Sequence, residues 1–164
     1  MLHYQKERLL KLADFLETLP RRKFDLTLIA STNSKAETPS LKTCGTAACA
    51  IGWMPNVFPR VCKYEDVVIP KNDYDFDYRN YNNLTVEGKG NYDDLTDFQL
   101  AEAFFGLDPN KYESEFLFDP LSYNPYRRGN KSVAARIRKF ANGEVTQKDI
   151  NESVGANENG DRNW

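Results

Sequence analysis

The chain has 164 residues, 40% of them hydrophobic, and its 22 basic and 24 acidic side chains give a formal charge of -2. This length predicts one globular domain whose core needs neither disulfides nor a structural metal, and the balanced charge argues against a surface built throughout to hold nucleic acid. No apolar run reaches the roughly 18 residues that span a bilayer, and residues 1–8 lack the apolar stretch of a secretory signal, so we expect a cytoplasmic protein, without membrane contact, whose three cysteines are thiols.

The first third of the chain predicts a helix, a strand and a second helix. Leucines recur at spacings of three and four over 9–19, which is typical of an amphipathic helix. The apolar run at 24–29 indicates a strand or an extended segment, of which its length and β-branched content favour the strand, and a polar loop follows. Residues 43–53 have mostly small side chains and none that is charged. We predict a short helix here that begins at Thr43 or Cys44 and ends at Trp53 or Met54, before Pro55.

The remaining sequence predicts a hairpin followed by three helices. Aspartates alternate with aromatic residues over 73–78, as in a two-faced strand. Helix start signals follow at Thr96, at Asp108–Pro109 and at Asn130 or Ser132. We therefore predict the α+β class: a helix-rich single domain over 1–150, packed around a small antiparallel sheet or β-hairpin, with a Tyr/Asp-rich β insertion at about 61–92 and a polar, flexible tail over 151–164.

Residues 44–53, Cys-Gly-Thr-Ala-Ala-Cys-Ala-Ile-Gly-Trp, match the pattern C-G-T-x-A-C-x-x-G-W. With the further elements Phe24-Asp25, Phe105-Gly106-Leu107, Leu117-Phe118-Asp119-Pro120 and Phe140-Ala141-Asn142-Gly143, the chain resembles a family of small proteins encoded mainly by tailed bacteriophages. The similarity spans roughly residues 5–143. The resemblance implies a phage accessory protein in the host cytosol, with a possible counter-defence role, and it assigns no catalytic residue.

Two segments are candidates for binding a small nucleotide-like anion. The predicted helix start at Thr43, Cys44, Gly45 and Thr46 would offer free backbone N–H groups and the positive end of a helix dipole. The structural alternative is that its small residues, with Ala48, Cys49 and Gly52, let another helix cross closely.

The second segment, 126–140, has six basic residues and no acidic one. Arg127 and Arg128 could bind phosphate, and Tyr123 or Tyr126 could stack on a base. We expect Arg136, Arg138 and Lys139 to face away from the core and to be available for phosphate as well. The structural alternative is a solvated basic surface, and the basic footprint is too narrow for duplex nucleic acid.

The leading hypothesis is therefore a protein that sequesters a nucleotide-like signal without catalysis. One alternative is an inhibitor that binds a host enzyme through the Tyr/Asp-rich hairpin, whose surplus aromatic residues could also form a homo-oligomer. The other is a cysteine-dependent enzyme using Cys44, although the single histidine, His3, is poorly placed as a base. The spacing of Cys44, Cys49 and Cys62 lacks a fourth zinc ligand, the aspartates fail the EF-hand pattern, and no metal or cofactor is expected.

Overall fold

The computed structural model describes residues 1–26, 30–31, 47–60, 62–64, 84–86 and 97–157. Helices dominate this part of the chain: α1 (His3–Thr18), α2 (Met54–Val57), α3 (Asp97–Phe105), α4 (Glu113–Phe118), α5 (Asn130–Ala141) and α6 (Gln147–Val154). Single 3₁₀ turns lie at Arg21–Lys23, Pro109–Lys111, Pro120–Ser122 and Pro125–Arg127. The predicted helix-rich domain is confirmed.

The described strands form two separate antiparallel pairs. β1 (Ala30–Ser31) pairs with β2 (Ala47–Ala48), and β3 (Cys62–Tyr64) pairs with β4 (Leu84–Val86). Each strand has two or three residues, which is too short for a sheet that could organise a core. The α+β class therefore stays a prediction, and the alternating stretch 73–78 lies outside the described residues.

The predicted first helix is confirmed, and it forms one wall of the core. Leu9, Leu12, Ala13 and Leu16 are fully buried on one face of α1, as their spacing requires. α1 packs along α5, which buries Val133, Ala134 and Ile137. The first and fifth helices, far apart in sequence, therefore make the main helix pair of the core.

The predicted second helix is wrong over its described part. Ala47–Ala48 form a strand that pairs with Ala30–Ser31, and the helix that follows begins only at Met54. Pro55 lies in the first turn of this helix, where its missing N–H costs nothing, so it helps to start α2 instead of ending an earlier helix. The small residues allow close packing as predicted, but in an extended chain.

The predicted strand at 24–29 is also wrong over its described part. Phe24 makes one isolated bridge with Ala48, and Asp25 donates its backbone N–H to the carbonyl oxygen of Ala48 at 3.2 Å. A 3₁₀ turn precedes this bridge and a turn follows it. Trp53, fully buried, donates Nε1–H to the carbonyl oxygen of Lys23 at 3.0 Å. Contacts with the 47–53 segment thus hold residues 23–25, and the described part of this run forms a single bridge in place of a β-ladder.

The predicted helix stop at Gly106 is confirmed. Gly106 has φ of +66°, and the end of the Gln5 side chain occupies the space that a Cβ would take. In the next segment Asp108 caps a 3₁₀ turn through the N–H of Asn110, and Tyr112, with φ of 56°, separates this turn from α4. Left-handed residues therefore end both α3 and the turn before α4.

The predicted flexible tail begins too early. α6 extends to Val154 and contributes the buried Ile150 to the core, whereas we expected the tail to start at 151. A capping box starts the helix, since Thr146 accepts from the N–H of Asp149 and the Asp149 carboxylate accepts in return. Gly155 ends it with φ of 74°. The rest of the predicted tail, 158–164, lies outside the described residues.

Candidate functional site

The predicted anion-binding residues Thr43, Cys44, Gly45 and Thr46 lie outside the described residues. The residues that follow them, Ala47–Ala48, are extended and paired with β1, so the predicted helix does not continue through this point. The binding role of residues 43–46 stays a prediction.

The other three predicted residues, Tyr126, Arg127 and Arg128, lie in the connection that leads into α5. Asn124 caps the 3₁₀ turn Pro125–Arg127 by accepting the N–H of Tyr126 at 3.0 Å. The Tyr126 side chain is 97% exposed, Arg127 is exposed, and Arg128 is half-buried. The capped turn gives this connection a defined backbone, from which the aromatic ring reaches into solvent.

Arg128 carries an unusual polar atom. Its Nε is enclosed by the protein and has no hydrogen-bond partner, the one such buried side-chain atom in the part of the chain that the structure describes. Leaving a buried donor unsatisfied costs about 1–3 kcal/mol, more when the group is charged. Nearly all buried polar groups are paired, so an unpaired one indicates either stored strain or a missing partner.

A third arginine, from the other end of the sequence, lies beside this connection. Arg21 Nε is 3.4 Å from the position that a Cβ on Gly129 would occupy. Asn130 fixes this proximity, because its buried side-chain amide donates to the carbonyl oxygens of Leu16 at 2.7 Å and Leu19 at 2.6 Å. We call Arg21, Arg127 and Arg128, around Gly129, the arginine cluster.

The arginine cluster adjoins the start of α5. Gly129 is the N-cap, and because glycine has no side chain, the N-cap residue makes no side-chain hydrogen bond to the first turn. Lys131, on this turn, is exposed. Within the described ranges, none of these four basic residues takes part in an ion pair. Among the residues that the structure describes, positive charge is therefore concentrated here without a paired carboxylate.

Arg136 was expected to face phosphate, but its guanidinium is part of the packing. Its Nη1 donates to the carbonyl oxygens of Phe116 at 2.8 Å and Ser122 at 2.9 Å. The guanidinium carbon lies 3.6 Å from the centre of the Tyr123 ring. Burial raises the pKa of Tyr123, whose hydroxyl donates to the carbonyl oxygen of Leu117. Neither Arg136 nor Tyr123 is therefore available to a ligand.

Arg138 is also occupied. Its Nη2 contacts Asp14 at 2.7 Å and Glu17 at 2.6 Å on α1. Lys139 is exposed, as predicted. The pairing of α1 and α5 brings these carboxylates to Arg138, and no pattern within 126–140 could have shown it. Arg21, in contrast, stands in a run of three basic residues, 21–23, and this run is the sequence signal that marks it.

The described thiols are buried. Cys49 lies in the core and its Sγ accepts the N–H of Gly52 at 3.4 Å. Burial raises the pKa of Cys62 to about 12, against a smaller lowering by Arg8. His3 is exposed, and its Nε2 lies 3.1 Å from Oε1 of Glu7. The described ranges hold no group of three side chains that could bind a metal, and Cys44 lies outside them.

Comparisons with protein-family models, curated proteins and solved structures find no match for this chain. The similarity to the tailed-phage proteins therefore stays a prediction carried by its motif. Among the described helices none is both long enough and apolar enough to cross a membrane.

Proposed function

We propose that the protein binds a small, phosphate-bearing, nucleotide-like anion at the arginine cluster and holds it without transforming it. The observation that carries this proposal is the enclosed Nε of Arg128, which has no acceptor in the described ranges. Arg127, one residue before it, and Lys131, three residues after it, supply further charge, and no carboxylate of the described residues pairs with either. A site of this kind recognises anions.

The energetic argument rests on the partial burial of the Arg128 guanidinium. Its charge is delocalised over all three nitrogens, so an oxyanion bound at any exposed edge of the group offsets part of the cost of enclosing Nε. Arginine also binds phosphate through two parallel N–H···O bonds, which adds geometric selectivity to the charge. The exposed ring of Tyr126, two residues away, offers a face on which a base can stack.

The biological part of the proposal comes from the sequence resemblance. A phage accessory protein that sequesters a nucleotide-derived signal needs side chains that bind the signal tightly, and it needs no nucleophile and no general base. The arginine cluster meets this requirement with side chains alone.

The test measures ligand binding with charge-matched controls. Protein purified from infected cells is examined by native mass spectrometry for a retained nucleotide, and the recovered compound, or AMP, ADP and cyclic AMP as probes, is titrated by calorimetry. We expect the double variant Arg127→Gln/Arg128→Gln to lose most of the affinity. Lys139→Gln/Lys148→Gln removes the same charge from exposed positions elsewhere and should keep it. No nucleotide binding, or equal losses in the two double variants, would refute the proposal.

A second candidate, the protein-binding inhibitor, has one favourable observation. β3 and β4 pair in the register Tyr64↔Leu84, so the connection that carries the Tyr/Asp alternation leaves and rejoins the protein at one place. Replacing residues 67–81 with a short Gly/Ser linker keeps both strands. An anion-binding protein retains its ligand after this change, whereas the inhibitor loses its host partner.

The cysteine-dependent enzyme is the third candidate, and it depends on Cys44. Cys44→Ala abolishes turnover if Cys44 is a nucleophile, but leaves binding by the arginine cluster intact. The same variant therefore separates an enzyme from a binding protein.

A further inference from the structure

We propose that Arg21 is the third guanidinium of the anion site, and that the three arginines together select a terminal phosphate or pyrophosphate group over a phosphodiester. This inference rests on the proposed function. It adds to that function a residue more than one hundred positions from Arg128 in sequence, and it names the chemical class of the group that is bound.

The first argument is the position of Arg21. Its Nε and Cδ lie 3.4 and 3.7 Å from the Cβ position of Gly129, so the side chain passes directly against the residue that follows Arg128. A Cβ at position 129 would be in ordinary van der Waals contact with the Arg21 side chain. Arg21 also donates Nη1–H to the carbonyl oxygen of Phe24 at 2.7 Å, which holds the plane of the guanidinium. Four of its five N–H donors are left for other acceptors.

Hydrogen bonds hold the segment that contains Arg21 against the connection that contains Arg128. Asn130, buried, binds the last carbonyl groups of α1 at Leu16 and Leu19, two residues before Arg21. The capped turn at Asn124 holds the other side of the connection. Because hydrogen bonds fix the backbone of both segments, little backbone conformational entropy is lost when a ligand bridges Arg21 and Arg128.

Positive charge is carried by neighbouring residues here, because the Arg21 side chain lies against Gly129 and Arg127 and Arg128 directly precede that glycine. Among the described residues no carboxylate pairs with any of the three arginines. A phosphodiester brings one negative charge per phosphate, whereas a terminal phosphate or a pyrophosphate brings about two or more near neutral pH. The group with more charge on one compact set of oxygens neutralises the cluster better and can accept from more than one arginine.

Arg22 is a natural control for Arg21. It is the next residue, it is exposed and carries the same charge, and no contact to Gly129 is made by it. If only the net charge of this surface mattered, removing either arginine would weaken anion binding equally.

The experiment titrates inorganic pyrophosphate and cyclic AMP into the full chain by calorimetry at low salt, with circular dichroism as the check on folding. We expect Arg21→Gln to weaken pyrophosphate binding about five- to ten-fold and Arg22→Gln less than about two-fold. We also expect the Nε–Hε resonances of Arg21 and Arg128 to shift when pyrophosphate is added, and pyrophosphate to bind more tightly than cyclic AMP.

The outcomes separate this inference from the proposed function. If Arg128→Gln weakens binding but Arg21→Gln acts no more strongly than Arg22→Gln, the role of Arg21 is refuted and the proposed function stands. If cyclic AMP binds as tightly as pyrophosphate, the assigned ligand class is wrong. If neither probe binds, or if binding is indifferent to Arg128 as well, both the inference and the proposed function fail.

Discussion

Asn130 ties the end of α1 to the start of α5, and replacing it tests how the two segments of the arginine cluster are held together. Its side chain is 3% exposed and donates both amide hydrogens to backbone carbonyl oxygens, of Leu16 at 2.7 Å and of Leu19 at 2.6 Å. Alanine at 130 removes both bonds. It leaves the helix itself intact, because alanine is the best helix former and Gly129 remains the N-cap.

The expected cost can be worked out bond by bond. Each neutral hydrogen bond contributes about 1 kcal/mol net, and a buried acceptor left unpaired costs about 1–3 kcal/mol. Leu16 keeps a second donor, the backbone N–H of Leu19 at 3.2 Å, so the carbonyl of Leu19 carries most of the penalty. We expect Asn130→Ala to lower the free energy of unfolding by about 2–4 kcal/mol, a large share of the roughly 5–15 kcal/mol of a small domain.

The assay is urea unfolding followed by circular dichroism, with Asn142→Ala as the matched control. Asn142 is exposed at the other end of α5, and its loss should change the free energy of unfolding by less than about 0.5 kcal/mol. A loss below about 1 kcal/mol for Asn130→Ala, or an equal loss for the two variants, would refute our account of this connection.

Asn130→Asp adds a test by pH. The carboxylate would face two carbonyl oxygens in a buried site, so its folded-state pKa would rise above the unfolded value of about 3.9. Stability contributed by the protonated form is then present below that unfolded pKa and is lost as the pH rises through the folded pKa. We therefore expect this variant to be more destabilised at pH 7 than at pH 4, and the opposite order would contradict the burial of residue 130.

Four further predictions concern single residues. Gly106→Ala and Gly143→Ala should each lower the free energy of unfolding, measured in urea, by about 1 kcal/mol, because both positions have positive φ. A larger loss at Gly106 would show the added cost of moving the Gln5 side chain, which occupies the Cβ position there. Cys62, whose pKa burial raises to about 12, should resist iodoacetamide at pH 8 until the protein unfolds, and fast native labelling at this position would contradict its burial. Arg136→Met should lower the free energy of unfolding by about 1–3 kcal/mol, because two partly buried hydrogen bonds from a charged donor to the carbonyl groups of Phe116 and Ser122 are lost, and a change under about 0.5 kcal/mol would refute its structural role. The hydrogen bonds from Thr146 lower the pKa of Asp149, so its carboxylate should stabilise α6 at pH values above the unfolded-state pKa, and this stabilisation should be lost as the pH falls through the folded-state pKa. Amide hydrogen exchange in α6 should become faster over the same pH range, and Asp149→Asn should remove this pH dependence.

Local patterns predicted the helices well wherever burial follows spacing. The leucine repeat of α1, the glycine stop after α3 and the apolar face of α5 all depend on contacts within a few residues, and the structure contains them. The helix predicted over 43–53 is wrong at Ala47–Ala48, because small, uncharged residues fit a closely packed helix and a closely packed strand equally well. Pairing with Ala30–Ser31, a long-range contact, makes these two residues a strand.

In the basic segment 126–140, too, local pattern and long-range contact determined different features. Its sequence revealed six positive charges and no negative one, but it could not show which of them the fold would use. Arg136 and Arg138 are paired by groups from α4 and α1, whereas Arg127 and Arg128 form no ion pair with any described residue. An arginine's partner depends on what faces it in space, and charge counting along the chain contains no such information.

The sequence by itself determined the size of the domain, most of its helices and their buried faces, because hydrophobic periodicity and capping act over one or two turns. Only the tertiary structure decided that 47–48 are extended, that Arg136 is enclosed by packing, and that Arg21 lies beside Gly129. The physical reason is that these features arise from contacts between distant segments, fixed by burial and by hydrogen bonds such as those of Asn130, and such contacts leave no mark on local sequence.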